Sequence, residues 1–135
     1  RMISFETAKA LKEAGLQWKP QIGDWFYTNH RRYVHMVIDL SELQVQEDYV
    51  FDPRLDQMLK DIEGQGFRYI LEPTGKKDEV QYCLTLLEWD DNVAEISFGN
   101  GWHLSANFCA TSSEEATAQA LLWILRREVC SCENL

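Results

Sequence analysis

One basic stretch of the sequence, residues 29–32, lies between two aromatic residues, Tyr27 and Tyr33. Guanidinium and imidazole groups can hold a phosphate or a carboxylate, and neighbouring aromatic rings can stack on a base. A solvated hairpin loop is the alternative, because loops commonly carry charge. The candidate binding residues in and after this stretch are His30, Arg31, Arg32 and His35.

Acidic residues form the second candidate binding surface. The formal charge of −9 divides into +3 for residues 1–36, −6 for residues 37–64 and −6 for residues 65–135. Such a balance argues against binding nucleic acid, which requires a cationic surface. It favours a basic protein as the partner, with Glu47, Asp48 and Asp52 as contact residues.

Three carboxylates, Glu88, Asp90 and Asp91, cluster where the chain is expected to turn between two strands. They could hold a magnesium ion or act as an acid and a base, which would suit a small metal-dependent hydrolase or a nucleotide-handling enzyme. Asp and Asn are also favoured in such turns for backbone reasons. No nucleophile elbow, phosphate-binding glycine loop or zinc-protease helix accompanies them, so an enzyme is the weaker hypothesis and no catalytic residue is assigned.

The cysteines are possible zinc ligands, but their spacing along the sequence argues against a zinc site. Thiolates and an imidazole suit zinc, and the possible ligands are His103, Cys109, Cys130 and Cys132. Only one residue separates Cys130 from Cys132, and no second closely spaced pair exists. We therefore expect no metal and no cofactor. Cys83 and Cys109 are interpreted as buried thiols, and the Cys-Ser-Cys segment as a frayed tail.

The cellular location is expected to be cytoplasmic. The sequence contains no apolar run long enough to cross a membrane and no apolar core of a signal peptide. Without an export signal, all four cysteines are expected to remain reduced.

A long carboxy-terminal helix over residues 113–129 is the element that must organise the rest. Its apolar positions recur at helical spacing, and Ser112 with Glu115 fits a capping box. A face this wide needs a broad apolar partner, which a sheet can supply. The apolar positions are Ala118, Leu121, Leu122, Leu125 and Val129.

The remaining elements predict a single α+β domain over residues 1–135. A first helix starts at Ser4 and stops at Gly15, and a second opens at Asp52-Pro53. Alternating apolar residues predict strands near 25–27, 34–38, 67–71, 80–89 and 94–98. A short edge strand could follow at 102–106, and residues 39–52 are expected as a loop that could hold a short strand or turn. The predicted fold is an antiparallel sheet of about five strands with helices on one face, in the order α-β-β-α-β-β-β-α. The five tryptophans are expected mainly in the core, although one or two could anchor a partner.

Four segments carry a resemblance to a protein family. They are residues 5–15 (FETAKALKEAG), 25–27 (WFY), 53–59 (PRLDQML) and 114–122 (EEATAQALL). Together they resemble small uncharacterised proteins of bacterial phages and prophages. The resemblance implies a bacterial or phage origin and a cytoplasmic setting, so the expected basic partner would be a host or phage protein. It carries no site residue with it.

These observations favour a non-enzymatic, protein-binding accessory factor with an acidic surface. One version of this hypothesis is an acidic protein that occupies the nucleic-acid groove of a host protein. The small hydrolase or nucleotide-handling enzyme using carboxylates near Asp90 is the alternative.

Overall fold

The computed structural model describes residues 3–28, 34–41, 43–89 and 101–133, and for residues 128–133 it describes the backbone alone. Three helices and six strands lie in these ranges. The helices are α1 (Phe5–Glu13), α2 (Leu55–Gly64) and α3 (Ser113–Glu133). The strands are β1 (Trp25–Thr28), β2 (Val34–Met36), β3 (Tyr49–Asp52), β4 (Arg68–Lys76), β5 (Glu79–Trp89) and β6 (Trp102–Ala110). None of the helices in this part of the chain has the length and apolarity needed to span a bilayer.

The strands form two antiparallel sheets instead of the expected single sheet. The first sheet has the order β2-β1-β3, and the second has the order β4-β5-β6. The α+β class is confirmed, but the single sheet of about five strands is wrong. The difference arises in residues 39–52, expected as a loop that could hold a short strand. Tyr49–Asp52 forms β3 there and pairs with β1, which adds a strand to the predicted order. The strand predicted at 94–98 lies outside the described residues.

The first helix begins and ends where the sequence predicts. The Ser4 hydroxyl accepts a hydrogen bond from the Thr7 amide at 3.1 Å, as an N-cap side chain should. Gly15 adopts a φ of 103°, a conformation that glycine reaches without steric cost, and this ends the helix. The cap and the stop at Gly15 are therefore confirmed.

The start of α2 differs from the prediction. Asp52 belongs to β3, and the residue that caps the helix is Arg54, whose amide donates to the Gln57 side chain at 2.8 Å. Met58 and Ile62 then face the core. Asp52 is the last residue of a paired strand, so its side chain is not at the helix end to cap it.

The long carboxy-terminal helix is present, but only one of the two hydrogen bonds of its predicted capping box forms. Ser112 accepts from the Glu115 amide at 3.1 Å, as expected. The Glu115 carboxylate does not return to Ser112. It accepts from the Ser4 amide at 2.7 Å and from the Thr7 hydroxyl at 2.9 Å, which fixes α1 to α3.

One continuous hydrophobic core joins the two sheets. Tyr27 and Val50 enter it from the first sheet, and Leu84 and Leu86 enter it from the second. Between them lie the apolar faces of the three helices. The fully buried helix residues include Leu11, Met58, Ile62, Ala118, Leu121 and Ile124.

The prediction that Cys83 and Cys109 are both buried thiols is wrong. The two residues are directly opposite each other on β5 and β6, with Cα atoms 4.1 Å apart, and they form a disulfide. Cys83 is buried, but Cys109 is exposed. A distance this short is set by the register of the two strands, which the cysteine spacing alone does not reveal.

The burial of two leucines on α3 predicts how much each contributes to the free energy of unfolding. Leu121 is fully buried, whereas Leu125 is half-buried, so the two positions form a matched pair. We expect Leu121→Ala to lower the free energy of unfolding by about 2–5 kcal/mol because it leaves a cavity in the core. Leu125→Ala should cost clearly less. Urea melts of both variants measure this, and equal losses would contradict the docking of α3 described above.

Candidate functional site

The binding residues predicted from charge do not form one site within the described residues. His30, Arg31 and Arg32 lie outside that part of the chain. His35 is exposed on β2, and its ring stacks on Phe26 with centroids 5.4 Å apart. Among the acidic candidates, Glu47 is exposed, Asp48 is half-buried, and Asp52 is buried.

Asp52 is a structural carboxylate inside the fold. Only 3% of it is exposed, and its Oδ1 has no hydrogen-bond partner among the described residues. Burial raises the pKa of Asp52 to about 7. Its neighbour Tyr27 donates a hydrogen bond to the Ile3 carbonyl at 2.8 Å, and burial, then the charge of Asp52, raises the pKa of Tyr27 to about 12. Asp52 therefore lies inside the fold, next to Ile3 in the segment that leads into α1, and does not reach the surface.

Of the three carboxylates considered for catalysis, Glu88 lies within the described residues. Asp90 and Asp91 lie outside them. Both Glu88 oxygens have partners, with the Arg127 guanidinium at 2.6 Å and the Ser105 hydroxyl at 2.7 Å. The Arg127 contact joins α3 to the second sheet, and the Ser105 contact joins β6 to β5. In the described part of the chain, no group of three His, Cys, Asp or Glu side chains is placed to hold a metal.

The second sheet has one face in the core and one face open to solvent. Side chains alternate along β5, and Leu84 and Leu86 point into the core. Leu87 and Trp89 therefore point to the opposite side. Their neighbours there, by strand register, include Arg68 beside Leu87, Leu104 beside Leu87, and Trp102 beside Trp89.

We call the apolar half of this open side the tryptophan face. It consists of Arg68, Ile70, Leu87, Trp89, Trp102 and Leu104. Three of its large apolar side chains are well exposed, with 40% of Ile70, 48% of Trp89 and 54% of Leu104 accessible. Leu87 is buried beneath them at 5%. An apolar face of this kind on a sheet whose other side is already packed is a feature of interaction sites.

Aromatic and cationic contacts hold the tryptophan face in one arrangement. Trp89 and Trp102 meet edge to face with centroids 5.5 Å apart. The Arg68 guanidinium lies over the Trp102 ring, 4.5 Å from its centroid. At the border of the face, Arg68 and Trp102 join Glu63 and Phe67 in lining a groove of about 550 Å³. Trp89, Trp102 and Arg68 are therefore already in contact with one another without a partner.

Sequence patterns supply only part of the signal for this face. Both sides of β5 are largely apolar, which correctly predicts the central strand of a sheet. The expectation that the tryptophans lie mainly in the core holds only in part. Trp123 packs against the core, but none of the five is fully buried, and Trp25 and Trp89 are 36% and 48% exposed. Alternation identifies two faces of a strand, but it does not identify which face the helices leave uncovered.

A second aromatic cluster lies on the first sheet. Phe26 is at its centre, and it contacts Trp18 at 5.5 Å, His35 at 5.4 Å and Tyr49 at 4.9 Å between centroids. The Trp18 ring also stacks on Phe51 at 5.3 Å with an interplanar angle of 6°. A cavity of about 300 Å³ adjoins Trp18, Tyr49 and Phe51.

Asp24, which sequence reasoning missed, fixes the position of Trp18. Its Oδ2 accepts from the Trp18 indole at 3.0 Å and from the Gln21 amide at 3.0 Å. Its Oδ1 accepts from the Gln57 side chain at 2.9 Å and lies 3.3 Å from the Arg54 guanidinium. A buried carboxylate with several donors is stable as a structural centre. The only local signal is an acidic residue next to a strand start.

The burial of Asp52 predicts a pH dependence of stability. Its folded pKa of about 7 lies above the ordinary value of 3.8, so the folded state holds this proton more tightly than the unfolded chain. Stability from this group is therefore fully present below about pH 4 and is lost as pH rises through 7.

We expect Asp52→Asn to remove this pH-dependent contribution to the unfolding free energy. Between pH 5 and pH 8 the wild type should lose about 2–3 kcal/mol of unfolding free energy more than the variant. Urea melts of both proteins at the two pH values measure the difference. Parallel losses in the two proteins would show that Asp52 is not protonated in the folded state.

Comparisons with known proteins found no relative of this chain. No family model matches the chain, and no curated protein or solved structure matches it.

Proposed function

We propose that this chain is a non-enzymatic, protein-binding accessory factor of a bacterium or phage, and that it binds its partner through the tryptophan face. The observation that carries the proposal is the exposure of Ile70, Trp89 and Leu104 on one side of a sheet whose other side is in the core. Large exposed apolar patches of this kind mark interaction surfaces.

The composition of the tryptophan face suits a protein partner. Tryptophan and arginine are enriched among the residues that dominate binding energy at protein interfaces. Trp89, Trp102 and Arg68 are already in contact with one another. Little side-chain freedom is then lost on binding, which favours affinity.

Charge favours a basic partner over a second copy of the chain. Two copies would each bring a formal charge of −9 and would repel each other. Exposed acidic residues also border the face, since Glu72 pairs across the sheet with Cys83 on the open side and Glu63 lines the adjoining groove. Basic side chains at the rim of a partner would meet these carboxylates.

The enzymatic alternative receives less support from the described residues. Glu88 is the one member of the expected carboxylate group among them, and Arg127 and Ser105 occupy its two oxygens. A carboxylate held in this way stabilises the contact between α3 and the sheet and is poorly placed to accept a substrate proton.

Changes on the tryptophan face should therefore weaken binding to a basic protein. The chain would be used to capture partners from bacterial lysate, and each captured protein would be titrated by calorimetry. We expect Trp89→Ala and Leu104→Lys each to weaken a genuine complex by about 30-fold or more, the loss typical of a central interface residue. The association rate should also fall as salt rises, because exposed charges are screened.

Ile38→Lys is the matched control, because Ile38 is 77% exposed and lies outside the tryptophan face. It makes the same chemical change as Leu104→Lys and should leave affinity within about threefold, as expected for a residue outside the interface. Urea melts would verify that all variants are folded. The proposal fails if the face variants and the control bind alike, if lysate yields no partner, or if the chain instead shows metal-dependent turnover of a phosphoester or nucleotide panel.

A further inference from the structure

The cavity on the first sheet is separate from the tryptophan face and has the properties of a small-molecule site. It lies between the end of α1, the segment that follows α1, and β3. Its walls are mainly apolar or aromatic. They include Ala8, Leu16, Trp18, Val45, Tyr49 and Phe51.

Its size limits what can enter. The volume is about 300 Å³, at the lower end of the range of ligand sites. An apolar cavity of about half that volume holds one benzene ring. A planar group of two fused rings would therefore fill the space, with its faces against the aromatic walls.

Trp18 and Phe51 present a prearranged wall. The two rings are nearly parallel, and the hydrogen bond from the Trp18 indole to Asp24 keeps the first of them in place. Offset stacking of a third ring on such a wall adds to the energy gained from burial.

Three polar residues, Gln46, Glu47 and Lys12, also line the cavity, and Lys12 is the cation among them. Its ammonium group donates to the backbone carbonyls of Glu47 and Tyr49, the second at 2.8 Å. An ammonium group has three N–H donors, so one remains for a ligand. None of the ion pairs among the described residues involves Lys12. Its charge is thus available to an anionic group.

We propose that this cavity binds a small planar aromatic carboxylate. The ring system would pack against the stacked Trp18–Phe51 pair, and the carboxylate would accept a hydrogen bond from the remaining Lys12 N–H. A neutral aromatic compound would gain the ring packing without the charge contact, whereas an aliphatic acid would gain the charge contact alone. The combination gives the site its selectivity.

The test is a cycle of two ligands and two variants, measured by calorimetry at 0.15 M salt, where screening acts beyond about 8 Å. The ligands are 2-naphthoate and its neutral analogue 2-naphthamide. The wild type should bind the acid about tenfold or more tightly than the amide, as expected for a hydrogen bond between charged groups. Lys12→Met should remove this preference, because it takes away the charge contact that only the acid makes.

Lys9→Met is the control for long-range charge, because Lys9 is an exposed residue of the same helix that does not line the cavity. It should keep the preference for the acid. Val45→Phe tests whether the ligands bind in this cavity. Val45 lines it and is 52% exposed, so a larger side chain there should partly fill the cavity and weaken the binding of both ligands. Absence of saturable binding by either compound at millimolar concentration would overturn the proposal, as would an unchanged preference in Lys12→Met or unchanged binding in Val45→Phe.

Discussion

The buried carboxylate of Asp24 is the contact on which the first half of the molecule depends. Four donors converge on it, from Trp18, Gln21, Arg54 and Gln57, and its side chain is 1% exposed. Its own carbonyl accepts from the Val37 amide at 2.8 Å, which continues the pairing of the strands beyond their formal ends. A buried charge is tolerated only when donors replace the water it has lost. The same set of contacts therefore fixes the segment before β1, the start of α2 and the aromatic wall of the cavity.

Local sequence patterns predicted the helices well because helix ends depend on nearby residues. Ser4, Gly15 and Ser112 satisfy or terminate backbone groups within one turn, so their roles could be assigned without a tertiary structure. The sheets depend on contacts between distant segments. The short run Tyr49–Asp52 is ambiguous alone and becomes a strand because β1 offers it a free edge. Once β3 completes the first sheet, α2 leads the chain into a separate sheet, and a single sheet is no longer formed.

The candidate sites were harder to predict for a related reason. Charge patterns suggested which residues could contact a partner, but burial decides which of them can. Asp52 has the same charge as Glu47, yet its strand position directs it into the fold. Trp89 has the apolar character of a core residue, yet it lies on the side of β5 opposite Leu84 and Leu86, where it remains 48% exposed. Both outcomes follow from which sheet faces the helices cover, and that depends on the whole fold.

The disulfide between Cys83 and Cys109 has a mechanical consequence for the chain. It closes a loop with a sequence separation of 26 residues, and it crosses between adjacent strands of the second sheet. Pulling on the two ends would load the bond itself and leave the enclosed segment slack, withholding roughly 90 Å of extended chain from the applied force. The flanking parts of β5 and β6 would separate while Cys83 and Cys109 stayed together. A machine that threads this protein through a narrow pore would thus have to admit two strands side by side or reduce the bond first.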